Sequence, residues 1–347
     1  VGNQALGENT TGAGNTAVGA DALDANTTAN NNTAVGRSSL GANTTGTFNT
    51  ASGRQALLSN TTGDNNVAVG GNALYQNTTA DDNTAVGAYS LDANTTGNSN
   101  VAVGTSSLSA NTVGDRSVAV GYNALLVQNP DSNVDMYNVA VGYAAGAAVT
   151  TGTNNTLIGG LAGDAITTGG QNVAVGIYSL SANTDGQYNT AVGRRALLTN
   201  TGSDNNTAIG ANALYTFNVA SGNGYNTAVG KNAGYAITTG TSNTIVGALA
   251  GDSITTGANN VAIGISALDA NTTASSNTAV GSNSLGAATT GALNVAVGSN
   301  ALLTNITGTR NSALGVGALQ LNTASDNVAI GYHALDTCAG GSNNTAV

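Results

Sequence analysis

Tryptophan is absent from this chain, and proline, cysteine, methionine and histidine occur once each. The lone Cys338 cannot close an internal disulfide, so no thiol staple holds the fold and compartment cannot be read from thiol pairing. A single proline, with 49 glycines in 347 residues, excludes collagen, which needs glycine at every third position and abundant proline. Charged residues make up only 7% of the chain, which excludes charge-driven disorder. Basic residues are scarcer still, 7 against 17 acidic, for a formal net charge of −10. That balance repels phosphate backbones and anionic lipid, and nucleic acid is excluded as a partner. There is no run of 18 apolar residues, so no membrane insertion is expected in this segment. The chain opens at Val1-Gly2 without a basic or apolar leader, which predicts a piece of something longer.

Apolar residues nonetheless make up 40% of the sequence, carried by Ala, Val and Leu, with aromatics at 4%. A core of such residues is thin and regular rather than wedged apart by rings. Its regularity is written in a repeat. The motif Asn-(Thr/Val)-Ala-Val-Gly places its closing glycine at Gly2, Gly19, Gly36, Gly53 and onward to Gly331, at a spacing of 17. Three spacings differ: 21 between Gly121 and Gly142, 20 between Gly210 and Gly230, and 16 between Gly315 and Gly331. A longer period overlies the first, because the segment around Gly142 and Gly159 matches that around Gly230 and Gly247, 88 residues on. Residues 1–347 read as one continuous array of about twenty units, with longer units at 122–142 and 211–230.

Within the unit Asn15–Asn31, Thr16 and Val18 fall on one face of an extended stretch and Ala17 on the other. Glycines and Asn-Thr-Thr-Gly turns recur too often for a helical stripe. The predicted fold is all-β, a parallel β-solenoid of about twenty 17-residue coils, each with two short strands and two turns. Like residues of successive coils then stack as columns, represented by Asn15, Asn32, Asn49, Asn66 and Asn83, by Val18, Val35 and Val69, and by Leu23, Leu40 and Leu57. In a parallel stack the amides of the Asn column are expected to hydrogen-bond to one another. The same turns generate Asn-x-Thr triplets such as Asn26-Thr27-Thr28, so these are expected to be structural rather than glycan acceptors.

The exceptions support a shared core. Where the Leu slot holds Gly146, Gly163, Gly234 or Gly251, the Asn slot three residues on holds Val149, Ile166, Ile237 or Ile254. Two of these units also enlarge the strand Ala, to Leu157 and Ile245. Volume lost at one site returns at another, as close packing requires. The near-invariant strand Ala predicts a second surface in close approach, and self-association is its simplest source.

The unit Asn-Thr-Ala-Val-Gly-x-x-Ala-Leu resembles the head repeat of trimeric autotransporter adhesins, and is similar to repeats of bacteriophage tail-fibre shafts and bacterial surface fibres. The resemblance covers the whole chain. It implies a left-handed parallel β-roll, three chains side by side, and an exposed fibre that holds or presents an adhesive surface. The period of 17 is longer than that of the family's usual repeat, the Asn-Thr-Thr-Gly turn supplying the excess.

No catalytic constellation emerges. His333 is two past its glycine, a slot held elsewhere by Asp21, Gln55 and Tyr89, which predicts an exposed bystander. Cys338 takes the slot of the turn Asn, which predicts a small buried thiol. Glu8 is the only glutamate, the aspartates keep no fixed position, and the glycine-aspartate nonapeptide of calcium-loaded rolls is missing, so no cofactor or metal is expected. Insertions in a solenoid bulge outward, and bulges carry recognition as readily as neutral drift. That makes Asn129, Pro130, Asp131, Asp135 and Tyr137, with Tyr215, Phe217 and Tyr225, the candidate receptor contacts. Tyr75, Tyr122, Tyr143, Tyr178, Tyr215 and Tyr332 occupy variable slots suited to stacking on sugars or to covering an interface.

The expected role is a non-catalytic structural and adhesive fibre, a shaft or receptor-presenting segment at a virion or cell surface. Expected partners are further copies of itself, as a homotrimer, and a surface glycan or protein receptor. The alternatives are an extracellular filament subunit of a bacterial surface and an ice-binding β-solenoid. Ice binding wants a flat Thr-x-Thr array, whereas Thr27 and Thr28 are adjacent. A glycan-degrading β-helix is disfavoured, since no repeated interruption bears paired acids.

Overall fold

The structure is a computed structural model describing residues 1–347. It is all-β, without helix, and forms two compact units, Val1–Gln171 and Asn172–Val347. Both are parallel β-solenoids with a repeat of about 17 residues, and they carry about nineteen turns between them.

In the first unit, nine three-residue strands stack in parallel from Thr16–Val18 and Thr33–Val35 to Val139–Val141 and Thr156–Ile158. The register is residue for residue: Thr16 lies beside Thr33, Ala17 beside Ala34, and Val18 beside Val35. The second unit repeats the arrangement from Val173–Val175 to Thr345–Ala346. Its long turn adds a two-residue pair, Ser203–Asp204 beside Gly222–Asn223.

Outside that pair, each turn carries one strand. The Ala22-Leu23 stretch, predicted as a second strand, is a run of tight turns in which Asp21 (φ 58°) and Leu23 (φ 51°) adopt left-handed backbone. Successive turns still bond there, Leu23 N–H to Ser39 C=O at 3.0 Å and Asp21 N–H to Asn3 C=O at 2.8 Å. Every rung thus satisfies its backbone through its neighbours, as buried polar groups require. The motif glycine is fixed by contact as well as conformation: at Gly36, φ is 138° and a Cβ would lie 2.4 Å from the Gly53 carbonyl oxygen.

The strand Ala faces inward. Ala34, Ala51 and Ala68 are fully buried, whereas Val18, Val35 and Val69 keep 43%, 41% and 38% of their surface in solvent. The expectation that another chain enforces the small residue is therefore corrected: the molecule's own core does so. A Cβ built at Gly146, in the Leu slot, would lie 2.6 Å from Leu157 Cδ1, 3.0 Å from Leu125 Cδ2 and 3.3 Å from Val149 Cγ2. The Leu slot, the strand slot of the next rung and the Asn slot are thus in contact, and a Leu in the first leaves room for only a methyl in the second. Leu23, Leu40 and Leu57 are fully buried.

Two asparagine columns run through the interior. In the column of Asn15, Asn32, Asn49, Asn66 and Asn83, each side chain bonds backbone: Asn32 Oδ1 accepts the Asn49 N–H at 2.9 Å, and Asn32 Nδ2 donates to Gly46 C=O at 2.8 Å. The expected amide-to-amide bonds run along this column in the second unit, where Asn260 Nδ2 donates to Asn243 Oδ1 and Asn311 Nδ2 to Asn294 Oδ1, both at 3.2 Å. In the first unit they run along the turn Asn, where Asn60 Nδ2 donates to Asn43 Oδ1 and Asn77 Nδ2 to Asn60 Oδ1, both at 2.8 Å.

Candidate functional site

In the first long turn, Pro130 and Met136 are buried, packed over Gly114, where a Cβ would lie 3.1 Å from each. Pro130 is a filler of the bulge and not a surface contact, because the ring covers the apolar end of the turn. Asn129 is exposed, with its Oδ1 accepting from Thr112 Oγ1 at 2.7 Å. Asp131 projects into solvent. Asp135 pairs with Arg116 and accepts from Tyr137 Oη at 3.0 Å, while the Arg116 guanidinium sits 5.9 Å from the centre of the Tyr137 ring. Asp135 raises the pKa of Arg116 by charge attraction. This exposed triad holds Tyr137 upright.

In the second long turn, Phe217 is fully buried, the largest side chain so enclosed. It occupies the Asn slot and carries no recognition, since its ring fills the core. Tyr215 is half-buried and stacks on Tyr235 with centroids 4.9 Å apart. Tyr225 is exposed. Elsewhere Tyr122 and Tyr143 stack at 5.6 Å on the surface.

Asn26, Asn43 and Asn60 are fully buried, which closes the Asn-x-Thr triplets to modification in the folded chain. The Thr hydroxyls beside them are committed, Thr44 Oγ1 to Thr61 C=O and Thr61 Oγ1 to Thr78 C=O, each at 3.0 Å. His333 is exposed, with Nδ1 3.0 Å from Asp336 Oδ2. Cys338 is half-buried rather than enclosed, because it lies in the outermost rung of the structure, where only one neighbouring rung packs against it.

Burial raises the pKa of three aspartates. Burial raises the pKa of Asp252, and the Asp269 carboxylate adds to the shift; Asp269 is itself raised by burial. Asp92 is raised by burial against the lowering effect of a 2.6 Å bond from Ser109 Oγ.

Sequence reasoning singled out Tyr137 and Tyr225 but missed the column they belong to. Five residues before each motif glycine, the backbone is left-handed and the side chain points outward, and here lie Phe48, Tyr137, Tyr188, Tyr225 and Leu293. Their common offset from the glycine was the available signal. No family model matches the chain, and no curated protein matches it.

Proposed function

We propose that this chain is a non-catalytic structural and adhesive fibre segment, the shaft or receptor-presenting part of a phage tail fibre or bacterial surface adhesin. What supports the reading is the stacking of like residue on like within each unit, successive strands being bonded by backbone and most rungs also by an asparagine side chain. Such a lattice spends its residues on continuity, and where its inward slots vary they do so by compensating exchanges of volume.

The repeat's resemblance to adhesin heads adds left-handed winding and association of three chains. The outer strand face suits association: its β-branched columns through Val18, Val35 and Val69 are exposed and apolar. The commitment of the Thr hydroxyls to carbonyls counts against the ice-binding alternative. Negative-stain microscopy and chemical cross-linking test the proposal together. Thin rods and a trimeric species are expected; compact monomers at micromolar concentration overturn it.

A further inference from the structure

In the second unit the outward column brings Tyr188, Asn205 and Tyr225 onto three successive rungs, each two residues before the in-register strand residues Thr190, Thr207 and Thr227. The two tyrosines therefore stand roughly 9.6 Å apart, two strand spacings, with the amide between them. Their rings are 55% and 58% exposed. Neither ring stacks on another ring, and neither hydroxyl has a partner within the chain.

Folding gives no reason for tyrosine here. Tyr188 and Tyr225 hold φ of 57° and 51°, a conformation that asparagine and glycine adopt at lower cost, and other rungs use Gly14, Asn31, Asn65 and Asn259 at this slot. Two large rings, each more than half exposed and held on left-handed backbone, mark a surface shaped for contact.

We infer that Tyr188 and Tyr225 form a stacking platform for an extended, neutral, β-linked polysaccharide lying along the column, with Asn205 bonding the sugar hydroxyls between them. In a flat β-linked chain the same apolar ring face recurs at every second sugar, a repeat close to the tyrosine spacing. Aromatic rings offer that face an apolar, oriented partner. Asn205 is held in place, its Nδ2 donating to Asn223 Oδ1 at 2.5 Å and its N–H to Gln187 C=O at 3.1 Å. Asp204 adjoins it, in a chain of net charge −10, so a sulfated or carboxylated glycan would be repelled. The first unit lacks this arrangement: Phe48 and Tyr137 are five rungs apart, and Arg116 lies over the Tyr137 ring. This inference rests on the adhesive reading and gives it a ligand class.

Affinity electrophoresis of the full chain in gels containing hydroxyethylcellulose or carboxymethylcellulose, with pull-down on insoluble cellulose and chitin, tests it. Retardation by the neutral polymer and not by the carboxymethylated one is expected. Tyr188→Asn and Tyr225→Asn, which suit the backbone, should each weaken binding roughly tenfold, the scale of one lost aromatic contact, with melting unchanged or raised. Phe48→Asn should bind as wild type. Failure of the wild type on every neutral polymer, equal retention by the anionic one, or wild-type binding by both tyrosine variants overturns the inference. Microscopy and cross-linking judge the fibre reading separately, so a fibre that binds no glucan or chitin sinks only this inference.

Discussion

Gln128 Nε2 donates to Ser117 Oγ at 2.9 Å, across the one rung whose asparagine column is interrupted. The longer side chain at the turn slot reaches where the missing amide would stand, and its Oε1 accepts from Asn138 Nδ2 at 2.9 Å. A defect in one column is repaired from the other.

Shortening the repair should expose the defect. Gln128→Asn is expected to lower the unfolding free energy by about 2 kcal/mol, because Ser117 Oγ is left buried without its partner. Adding Ser117→Asn, which restores the column, should recover most of that loss. Urea titrations of the two single variants and the double should give a coupling of about 1 kcal/mol or more; additive losses would show that the two columns are independent.

The glycine of the Leu slot makes a sharper case. Gly163→Leu alone drives its Cβ to 2.8 Å from both Ile166 Cδ1 and Leu157 Cδ2. Overpacking of this kind costs about 1–3 kcal/mol. Combining it with Leu157→Ala and Ile166→Asn relieves the clash and should recover part of the lost melting temperature, the space that Leu157 fills over Gly146 staying empty. A triple variant no better than Gly163→Leu would refute the shared-volume account.

Stability of the second unit should fall as pH rises through the carboxylate range. Burial holds the folded pKa values of Asp252 and Asp269 above the ordinary carboxylate value. The folded state therefore holds more protons than the unfolded chain in that window, so ionisation opposes folding and the penalty is complete above the raised values. Asp326 acts oppositely: the Arg310 hydrogen bond lowers its pKa, so its contribution is present at neutral pH and disappears on acidification. Asp252→Asn should raise the melting temperature at pH 7 and flatten its dependence between pH 4 and 6. An unchanged slope in thermal melts would remove Asp252 as a source.

The outer strand face can be tested without disturbing the core. Val35→Lys with Val69→Lys places two charges on exposed positions and should change monomer stability by about 0.5 kcal/mol or less. The cross-linked trimer should diminish sharply. If it persists, chains associate through another face.

The stacking of Val18 on Val35 was legible from the spacing of 17 alone, because only a parallel coil brings like residues together at that interval. Which face of the strand turns inward was not. Thr16, Ala17 and Val18 offer two faces of similar polarity, and the choice depends on Leu23 filling the interior from the opposite wall. The absent second strand was hidden for a related reason: leucine rarely takes positive φ, so nothing in Ala22-Leu23 advertises a turn. Among the proposed contacts, Phe217 and Pro130 were misplaced because an inserted apolar residue can fold back under its bulge. Tyr188 escaped notice because its rung has the ordinary length.

The pairing of each strand with the one a single coil onward fixes how far apart in sequence its contacts lie. Parallel sheets ordinarily demand long crossovers and assemble slowly, since distant segments must find one another. Here the closure cost is that of one short loop and does not grow with the number of rungs. A rung already formed presents its free carbonyls and amides to the segment that follows, so assembly is expected to advance by accretion, keeping pace with a chain as it leaves the ribosome.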